Sequence, residues 1–155
     1  MTDHESHLRM LYAALSAGAA GDDLASYFHP DAEQIEYPSL MSPEGRRRPL
    51  AEMVAAADVG RKLIEAQAFD VRNVVDDGDQ AAVQLTWTAI LATDLGGLPA
   101  GTRLVAHVAA FYVFRDGLIL RQSSYDSYEP LPAADGGHGC ILGSCVGSEY
   151  LAGQP

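Results

Sequence analysis

The period at which apolar residues recur changes near Gln67, and this change constrains the fold more than any other feature of the sequence. Before Gln67 the apolar residues follow a helical period, as in the stripe formed by Leu8, Leu11, Tyr12 and Leu15. After it, apolar and polar residues alternate, which is the pattern of strands. Helices followed by strands predict an α+β fold.

Glycine, proline and aspartate divide the chain into elements. They separate three predicted helices, the third beginning at Pro49, where the fixed φ of proline suits a first helical turn. A short strand is predicted over residues 32–37 and a loop over residues 39–48. Longer strands are predicted over residues 69–75, 81–92, 103–114 and 118–126. They are joined by a turn of the Asp-Gly kind at 76–79, a wide turn at 96–101 and a tight turn at 115–117. Consecutive hairpins of this kind predict a curved antiparallel sheet.

The 155 residues fit one domain, expected over residues 1–131. Residues 132–155 form a predicted extension in which Gly, Pro, Ala and Ser dominate without any period. Cys140 and Cys145, with His138 nearby, do not make a metal signature, because structural zinc needs four ligands at tighter spacing. We therefore expect no metal site, and no disulfide in a reducing cytoplasm. The extension either has no structural role or folds over a pocket mouth.

A formal net charge of −11 limits the classes of partner. It would repel phosphate groups, so neither nucleic acid nor an anionic membrane is expected to bind. For the run Arg46-Arg47-Arg48 we favour a solvated turn over an anion gate at a pocket mouth. The sequence has no apolar run long enough for a transmembrane helix and no apolar signal segment at its start, so we expect a cytoplasmic protein.

The predicted strand over residues 103–114 is largely apolar on both faces, so both faces need cover. The helices cover one face, and a second copy of the sheet would cover the other, which predicts a homodimer. On the even side, Ala106 and Ala110 leave room above the sheet, and the next strand ends in Ser124 and Asp126. An apolar hollow with a few polar groups predicts a pocket for a small hydrophobic ligand.

Four segments carry a family resemblance: Tyr-Phe-His-Pro-Asp-Ala at 27–32, Glu-Tyr-Pro at 36–38, Phe-Arg-Asp-Gly-Leu-Ile at 114–119 and Ser-Tyr-Asp at 124–126. With this order of elements, residues 5–131 resemble the nuclear transport factor 2-like superfamily. Within it the chain is similar to the SnoaL-like branch, which includes polyketide cyclases, limonene epoxide hydrolase and ketosteroid isomerase relatives. The resemblance implies a cone-shaped half-barrel, in which three N-terminal helices pack on the concave face of a strongly curved antiparallel sheet. It does not indicate one reaction, because this fold hosts many functions.

Placed on the family's hairpins, the even positions of the last three strands point into the pocket. The resemblance thereby implies a pocket lined by Thr86, Thr88, Ala106, Val108, Ala110, Tyr112, Gln122, Ser124 and Asp126, with Gln34 and Glu36 from the first strand. It places three residues on the outer face, at the expected dimer interface: Trp87, His107 and Phe111.

The chain departs from two of these relatives. Limonene epoxide hydrolase has an arginine and an aspartate at about Thr86 and Thr88, and a further aspartate at about Ser124. Ketosteroid isomerase has a protonated aspartate where this chain has Ala110. We therefore expect neither mechanism. SnoaL-like cyclases use an acidic residue late in the sheet, to which Asp126 is the nearest match.

Asp126 is the leading candidate for chemistry. It ends an apolar strand, where lost solvation should raise the pKa of its carboxyl group toward the range useful for proton transfer. A strand cap or an ion pair is an equal alternative. Glu36 is either a second carboxylate facing Asp126 or an exposed edge residue, and exposure is the commoner state of glutamate. Hydroxyls and amides of the pocket could orient a carbonyl, although a core position is favoured for Tyr112.

The sequence therefore favours a cofactor-independent enzyme that works by acid–base catalysis on a small hydrophobic carbonyl or polyketide-like substrate. Isomerisation, aldol-type cyclisation, dehydration and related hydrolysis all stay open. The alternative is a ligand-binding or accessory protein without catalysis. No glycine-rich phosphate loop, nucleophile elbow or metal-ligand cluster is visible, so no cofactor is expected.

Overall fold

The computed structural model describes residues 3–132, which form three helices and six strands. In chain order they are α1 (Asp3–Ser16), α2 (Gly21–Ala25), β1 (Phe28–Glu36), β2 (Arg46–Pro49), α3 (Leu50–Leu63), β3 (Ile64–Asp77), β4 (Gln80–Leu91), β5 (Arg103–Arg115) and β6 (Leu118–Tyr128). The expectations for Cys140, Cys145 and the rest of the extension lie outside the described residues. Neither of the longer helices, nor α2, is long and apolar enough to cross a membrane within residues 3–132.

The strands form one curved, unclosed sheet with the order β2-β1-β6-β5-β4-β3, and the helices pack on one side of it. The predicted α+β fold and the meander from β3 to β6 are confirmed. The prediction of a wholly antiparallel sheet is wrong at one place, because β1 pairs with β6 in parallel. A parallel pair needs a long connection between its strands, and here the rest of the domain provides it.

β1 begins earlier than the alternation predicted. The expected strand over residues 32–37 lies mostly within β1, but the strand also includes His29 and Pro30. The ladder with β6 pairs Phe28 with Ile119 and then resumes at Glu33, with a register shift between them. Proline has no N–H to donate to a regular ladder, so within strands it is tolerated at irregular places such as this one.

β2 lies in the segment predicted to be a loop. Three successive arginines give no apolar alternation, so the strand is specified by its partner instead: Gln34 pairs with Arg48, and Glu36 with Arg46. The turn before it requires glycine, because Gly45 has φ +68° and a Cβ there would lie 2.6 Å from the carbonyl oxygen of Glu36. The favoured expectation of a solvated turn at this run is therefore wrong.

The register between β4 and β5 overturns the predicted faces of β4. Residues directly opposite each other in an antiparallel pair project from the same face. Trp87 lies opposite Ala106, whereas Thr86 lies opposite His107. Thr86 and Thr88 are therefore on the outer face, and Trp87 is on the inner one, the reverse of the expectation. Side chains alternate along each strand as expected, but the hairpin pairs the odd-numbered residues of β4 with the even-numbered residues of β5. Alternation within one strand does not reveal this pairing.

The core lies between α1 and the inner face of the sheet. Leu8, Leu11 and Tyr12 of the predicted apolar stripe are all buried there. They pack in one cluster with inward residues of the central strands, among them Val83, Leu85, Ala110, Tyr112 and Ile119. The helical stripe thus covers the inner side of the half of the sheet farthest from β2.

We predict that Leu8→Ala lowers the free energy of unfolding by about 2–5 kcal/mol, because it leaves a cavity in a packed core. Leu8 is 0% exposed. The control is Met10→Ala on the same helix, since Met10 is 61% exposed and its truncation should cost no more than about 0.5 kcal/mol. Urea denaturation measures both. Equal losses would contradict this packing of α1.

Candidate functional site

A cavity of about 640 Å³ lies between α1, α3 and the inner face of the sheet. This volume is in the usual range for sites that hold small molecules. Its walls are mainly apolar and come from both helices and the sheet: Leu11, Leu15, Phe28, Met53, Ala57, Phe69, Leu85, Trp87, Ala106 and Val108. The predicted pocket is therefore present as a cavity in the structure.

The polar groups of the cavity come together because two strand pairings coincide. β1 lies beside β6 with Gln34 opposite Gln122 and Glu36 opposite Ser124. β5 lies on the other side of β6, with Val108 opposite Asp126. All of these side chains line the cavity. The register thus places the carboxylates of Glu36 and Asp126 on one surface.

Arg48 from β2 holds Glu36 in place. Its Nη1 donates to Oε1 of Glu36 and its Nη2 to Oε2, each at 3.4 Å, and Nη1 also donates to Oε1 of Gln34 at 3.1 Å. The side chain of Arg48 is 14% exposed and that of Glu36 is 25% exposed, so the pair is partly desolvated. Two guanidinium nitrogens on two carboxylate oxygens fix the orientation of the carboxylate as well as its charge.

Asp126 has no such cation among the residues that the structure describes. Within residues 3–132 it forms no ion pair, and its hydrogen-bond partner is Ser124. Burial raises the pKa of the Asp126 carboxyl above its usual value, and the negative charge of Glu36 raises it further, while the hydrogen bond from Ser124 lowers it. The two carboxylates therefore differ: one is neutralised by arginine, and the other is held where it binds a proton more readily.

Three tyrosines lie close enough to this carboxylate to feel its charge. Tyr12 lines the cavity and its hydroxyl is hydrogen bonded to that of Tyr112, which lies behind it in the core. Burial and the charge of Asp126 raise the pKa values of Tyr12, Tyr112 and Tyr128, so all three stay protonated over the ordinary pH range. The mutual bond of Tyr12 and Tyr112 uses one of their two protons, which leaves the other for donation.

Trp87 forms part of the opposite wall. Its indole Nε1 donates to Oε1 of Gln67 at 3.0 Å, and Gln67 also lines the cavity. Gln67 in turn donates to the backbone carbonyl of Leu15 at 3.2 Å. This chain of bonds ties the wall of the cavity to the end of α1, so the indole presents an apolar ring whose polar atom is already satisfied.

Most of the predicted site residues meet at the cavity, and some do not. Seven of the predicted residues line it: Gln34, Glu36, Ala106, Val108, Gln122, Ser124 and Asp126. Ala110 and Tyr112 face the same side but belong to the core behind the cavity. Thr86 and Thr88 lie on the outer face and are not part of it.

Sequence reasoning missed seven lining residues that bear polar groups: Tyr12, Ser39, Ser42, Arg61, Gln67, Trp87 and Tyr128. Arg46 and Arg48 also line the cavity, where the sequence placed them only in the less favoured alternative of an anion gate. Tyr12 was placed only in the apolar stripe of α1.

The outer face of the sheet carries a cluster of exposed aromatic rings. Tyr37 stacks on Tyr125 with ring centroids 4.4 Å apart, and Phe111 meets Tyr125 edge-on at 6.2 Å. Phe111 remains 48% exposed. His107 lies on the same face and bonds Glu129 at 3.0 Å, with both side chains exposed. Of the three residues expected on this face, Phe111 and His107 are there and Trp87 is not.

The sequence of this chain matches the model of a known protein family. The model of the SnoaL-like domain matches residues 8–122. The chain belongs to this family. The SnoaL-like membership and the nuclear transport factor 2-like fold that the sequence indicated are confirmed. A comparison with curated protein sequences found no match.

Several solved structures share the fold of this SnoaL-like protein. The structure of IdmH, a candidate polyketide cyclase from Streptomyces antibioticus, has a TM-score of 0.67 at 19% identity and covers 79% of this chain and 90% of its own. AclR, a candidate hydroxylase from Streptomyces galilaeus, has a TM-score of 0.65 at 19% identity over 79% of this chain and 74% of its own.

A nuclear transport factor 2-like protein of unknown function from Burkholderia pseudomallei has a TM-score of 0.67 at 15% identity, over 82% of this chain and 92% of its own. At these identities the likeness establishes the fold and leaves the reaction open.

We predict that Asp126→Asn raises the stability of the folded protein at neutral pH. The folded state binds the Asp126 proton more tightly than the unfolded state does, because its pKa is raised. The contribution of Asp126 to the free energy of unfolding is therefore most favourable below the ordinary carboxyl pKa. It is lost as the pH rises through the raised pKa of the folded state.

The measurement is urea denaturation of wild type and variant at several pH values. The advantage of Asp126→Asn should shrink as the medium becomes acidic. Asp70→Asn is the matched control, since Asp70 is exposed on β3 and should give no comparable gain. A neutral-pH stability of Asp126→Asn below that of wild type would contradict the desolvation of this carboxylate.

Proposed function

We propose that this protein is a cofactor-independent acid–base enzyme that transfers a proton at the carbon next to a carbonyl group of a small apolar substrate. The observation that carries the proposal is the Asp126 carboxylate, which lines a largely apolar cavity beside the ion-paired Glu36 and has no cation of its own among residues 3–132. A base in such a place can approach the C–H bond of a bound apolar molecule.

Asp126 is the better candidate for the base than Glu36. Both oxygens of Glu36 are already engaged by N–H donors of Arg48. Asp126 accepts only the hydrogen bond of Ser124 among the described residues, and burial raises its pKa. Glu36 then acts on Asp126 through its charge, which favours uptake of the proton.

The step can be written with the groups of this cavity. The Asp126 carboxylate takes the proton from the carbon, and the electron pair of the C–H bond moves to form an enolate whose negative charge rests on the carbonyl oxygen. Tyr12, with the spare proton of its pair with Tyr112, supports that oxygen by a hydrogen bond. Asp126 then returns the proton to a different carbon of the conjugated enolate, which is isomerisation. Alternatively, the enolate carbon attacks a second carbonyl of the same molecule, and the alkoxide so formed takes the proton back from Asp126, which is aldol-type cyclisation.

The substrate class follows from the lining. Apolar side chains dominate the walls, and the indole of Trp87 offers a flat surface to an aromatic or polyene ring. IdmH, which shares the fold, is described as a candidate polyketide cyclase. These points support a polyketide-like carbonyl compound as the substrate.

A ligand-binding or accessory protein without catalysis is the second candidate. It is favoured by the inner face of β4, where Leu85 and Trp87 line the cavity and bear no charge. In such a protein the Asp126 carboxylate would orient a ligand only, and its replacement would change affinity without any loss of turnover.

We predict that Asp126→Asn lowers the rate of proton exchange at the α-carbon of bound ketones by about 100-fold or more. The assay follows deuterium uptake from D₂O into β-tetralone and benzoylacetone by NMR, so it does not depend on knowing the later step. Asp70→Asn should exchange at the wild-type rate. Quenching of Trp87, the single tryptophan of the chain, reports whether each variant still binds the ketone.

Two outcomes would contradict the enzyme proposal. One is wild-type exchange no faster than in buffer although the ketones bind. The other is full exchange activity in Asp126→Asn. The first outcome, combined with an altered affinity in Asp126→Asn, is the result expected of the ligand-binding protein.

We propose further that two copies associate through the outer sheet face. The support is the cluster of Tyr37, Phe111 and Tyr125, which is exposed on a side that no helix covers among the described residues. A two-fold axis through this face would bring the cluster against itself and bury it. Light scattering after size exclusion should give a dimer, and Phe111→Ser should weaken it. A wild-type monomer at micromolar concentration would contradict the proposal.

Other expectations remain predictions from the sequence: a cytoplasmic location, a reaction without cofactor or metal, and no nucleic-acid or membrane partner.

A further inference from the structure

Three arginines line the cavity in a protein whose formal net charge is −11. Arg46 and Arg48 come from β2, and Arg61 comes from the last turn of α3. The chain has ten Lys and Arg residues in total, so nearly a third of its basic side chains converge on one cavity. Positive charges at the mouth of a cavity attract negatively charged ligands to it, even on an acidic protein.

The strand geometry of β2 separates its arginines. Side chains alternate along a strand, so Arg46 and Arg48 share a side. Arg47 lies on the other side, where its Nη1 donates to Oε1 of Glu33 at 2.8 Å. Arg46 and Arg48 line the cavity, and Arg47 does not.

Arg48 is ion-paired with Glu36, which distinguishes it from Arg46 and Arg61. Arg46 and Arg61 form no ion pair with any residue in the range 3–132, and both are exposed. They therefore stand at the rim, whereas Arg48 and Glu36 lie deeper. An exposed guanidinium without a carboxylate partner is free to form a two-pronged contact with a ligand anion.

We infer that the cavity takes a ligand with an apolar body and a monoanionic group of the carboxylate class, with the anion held at the rim by Arg46 and Arg61. This inference rests on the proposed use of the cavity as a substrate site and specifies the substrate. The charge of Glu36 is balanced by Arg48, whereas the carboxylate of Asp126 forms no ion pair among residues 3–132 and repels an anion from the inner part of the cavity. The ligand therefore enters with its anionic group outward and its apolar end toward Asp126.

The orientation matters for the chemistry. Asp126 must take a proton from carbon, and a negative group beside it would oppose the formation of an enolate. A carboxylate kept at the rim leaves the reacting carbonyl alone with the carboxylate of Asp126 and the hydroxyl of Tyr12. The arginines thus act as positioning and specificity-determining residues, and the proton transfer remains with Asp126.

The test compares a negatively charged and a neutral fluorescent probe of similar shape, anilinonaphthalene sulfonate and N-phenylnaphthylamine. Energy transfer from Trp87, the only tryptophan, counts the probe bound in the cavity. The double variant Arg46→Gln/Arg61→Gln should lose about tenfold or more in affinity for the sulfonate probe, because it loses two charge-assisted contacts. Its affinity for the neutral probe should stay within about twofold of wild type.

The matched control is Arg47→Gln/Lys62→Gln. It removes the same charge from the neighbouring residue of each element, and neither side chain lines the cavity. The control should keep the wild-type affinity for both probes. Equal losses in the two double variants would assign the effect to net charge and overturn the inference. No loss in Arg46→Gln/Arg61→Gln, or a loss of equal size for both probes, would overturn it too.

The outcome is independent of the proton-exchange assay. Binding of the two probes is measured without turnover and can be repeated in Asp126→Asn. If the wild type prefers the anionic probe but shows no exchange activity, the anion site is supported and the enzyme proposal is contradicted. Exchange activity without such a preference would do the reverse.

Discussion

The parallel pairing of β1 with β6 is the contact on which the candidate site depends. It joins the part of the chain that contains the helices to the meander of long strands, and the backbone N–H of Tyr37 continues it by donating to the carbonyl of Ser124 at 3.0 Å. This register sets Glu36 beside Ser124. A slip of one residue would turn Glu36 to the outer face, because side chains alternate along a strand.

The same pairing explains the position of Arg48. β2 adds to the free edge of β1, and its register places Arg48 against Gln34 and near Glu36. A partly buried carboxylate is costly unless a cation is near, and Arg48 offsets that cost for Glu36. Asp126 receives no such compensation within the described residues, so part of its desolvation remains as a raised pKa. The fold thus contains a group that costs stability, as is common where a protein has a function.

The charges also give the cavity a direction. Its inner part has two carboxylates and a pair of hydrogen-bonded tyrosines, and its rim has two arginines without ion pairs among residues 3–132. The walls between them are apolar. Such a gradient distinguishes this cavity from a merely apolar hollow, and it is a property of this chain's own residues. The chain belongs to the SnoaL-like family, but a fold does not specify a reaction, so these side chains determine the chemistry of the cavity.

The sequence by itself determined the class of fold, because hydrophobic periods depend on nearby residues: a period of 3.6 before Gln67 and alternation after it specify which segments are helices and which are strands. It also brought Asp126 and Glu36 forward as the carboxylates of a pocket. The faces of Thr86, Thr88 and Trp87 were wrong, because the offset between two strands depends on the hairpin that joins them. The strand at Arg46–Pro49 and the bond between Tyr12 and Tyr112 could not be predicted either, since each depends on a partner far away in the chain. Local patterns fix local structure, whereas pairing across the sheet is decided only when all strands assemble.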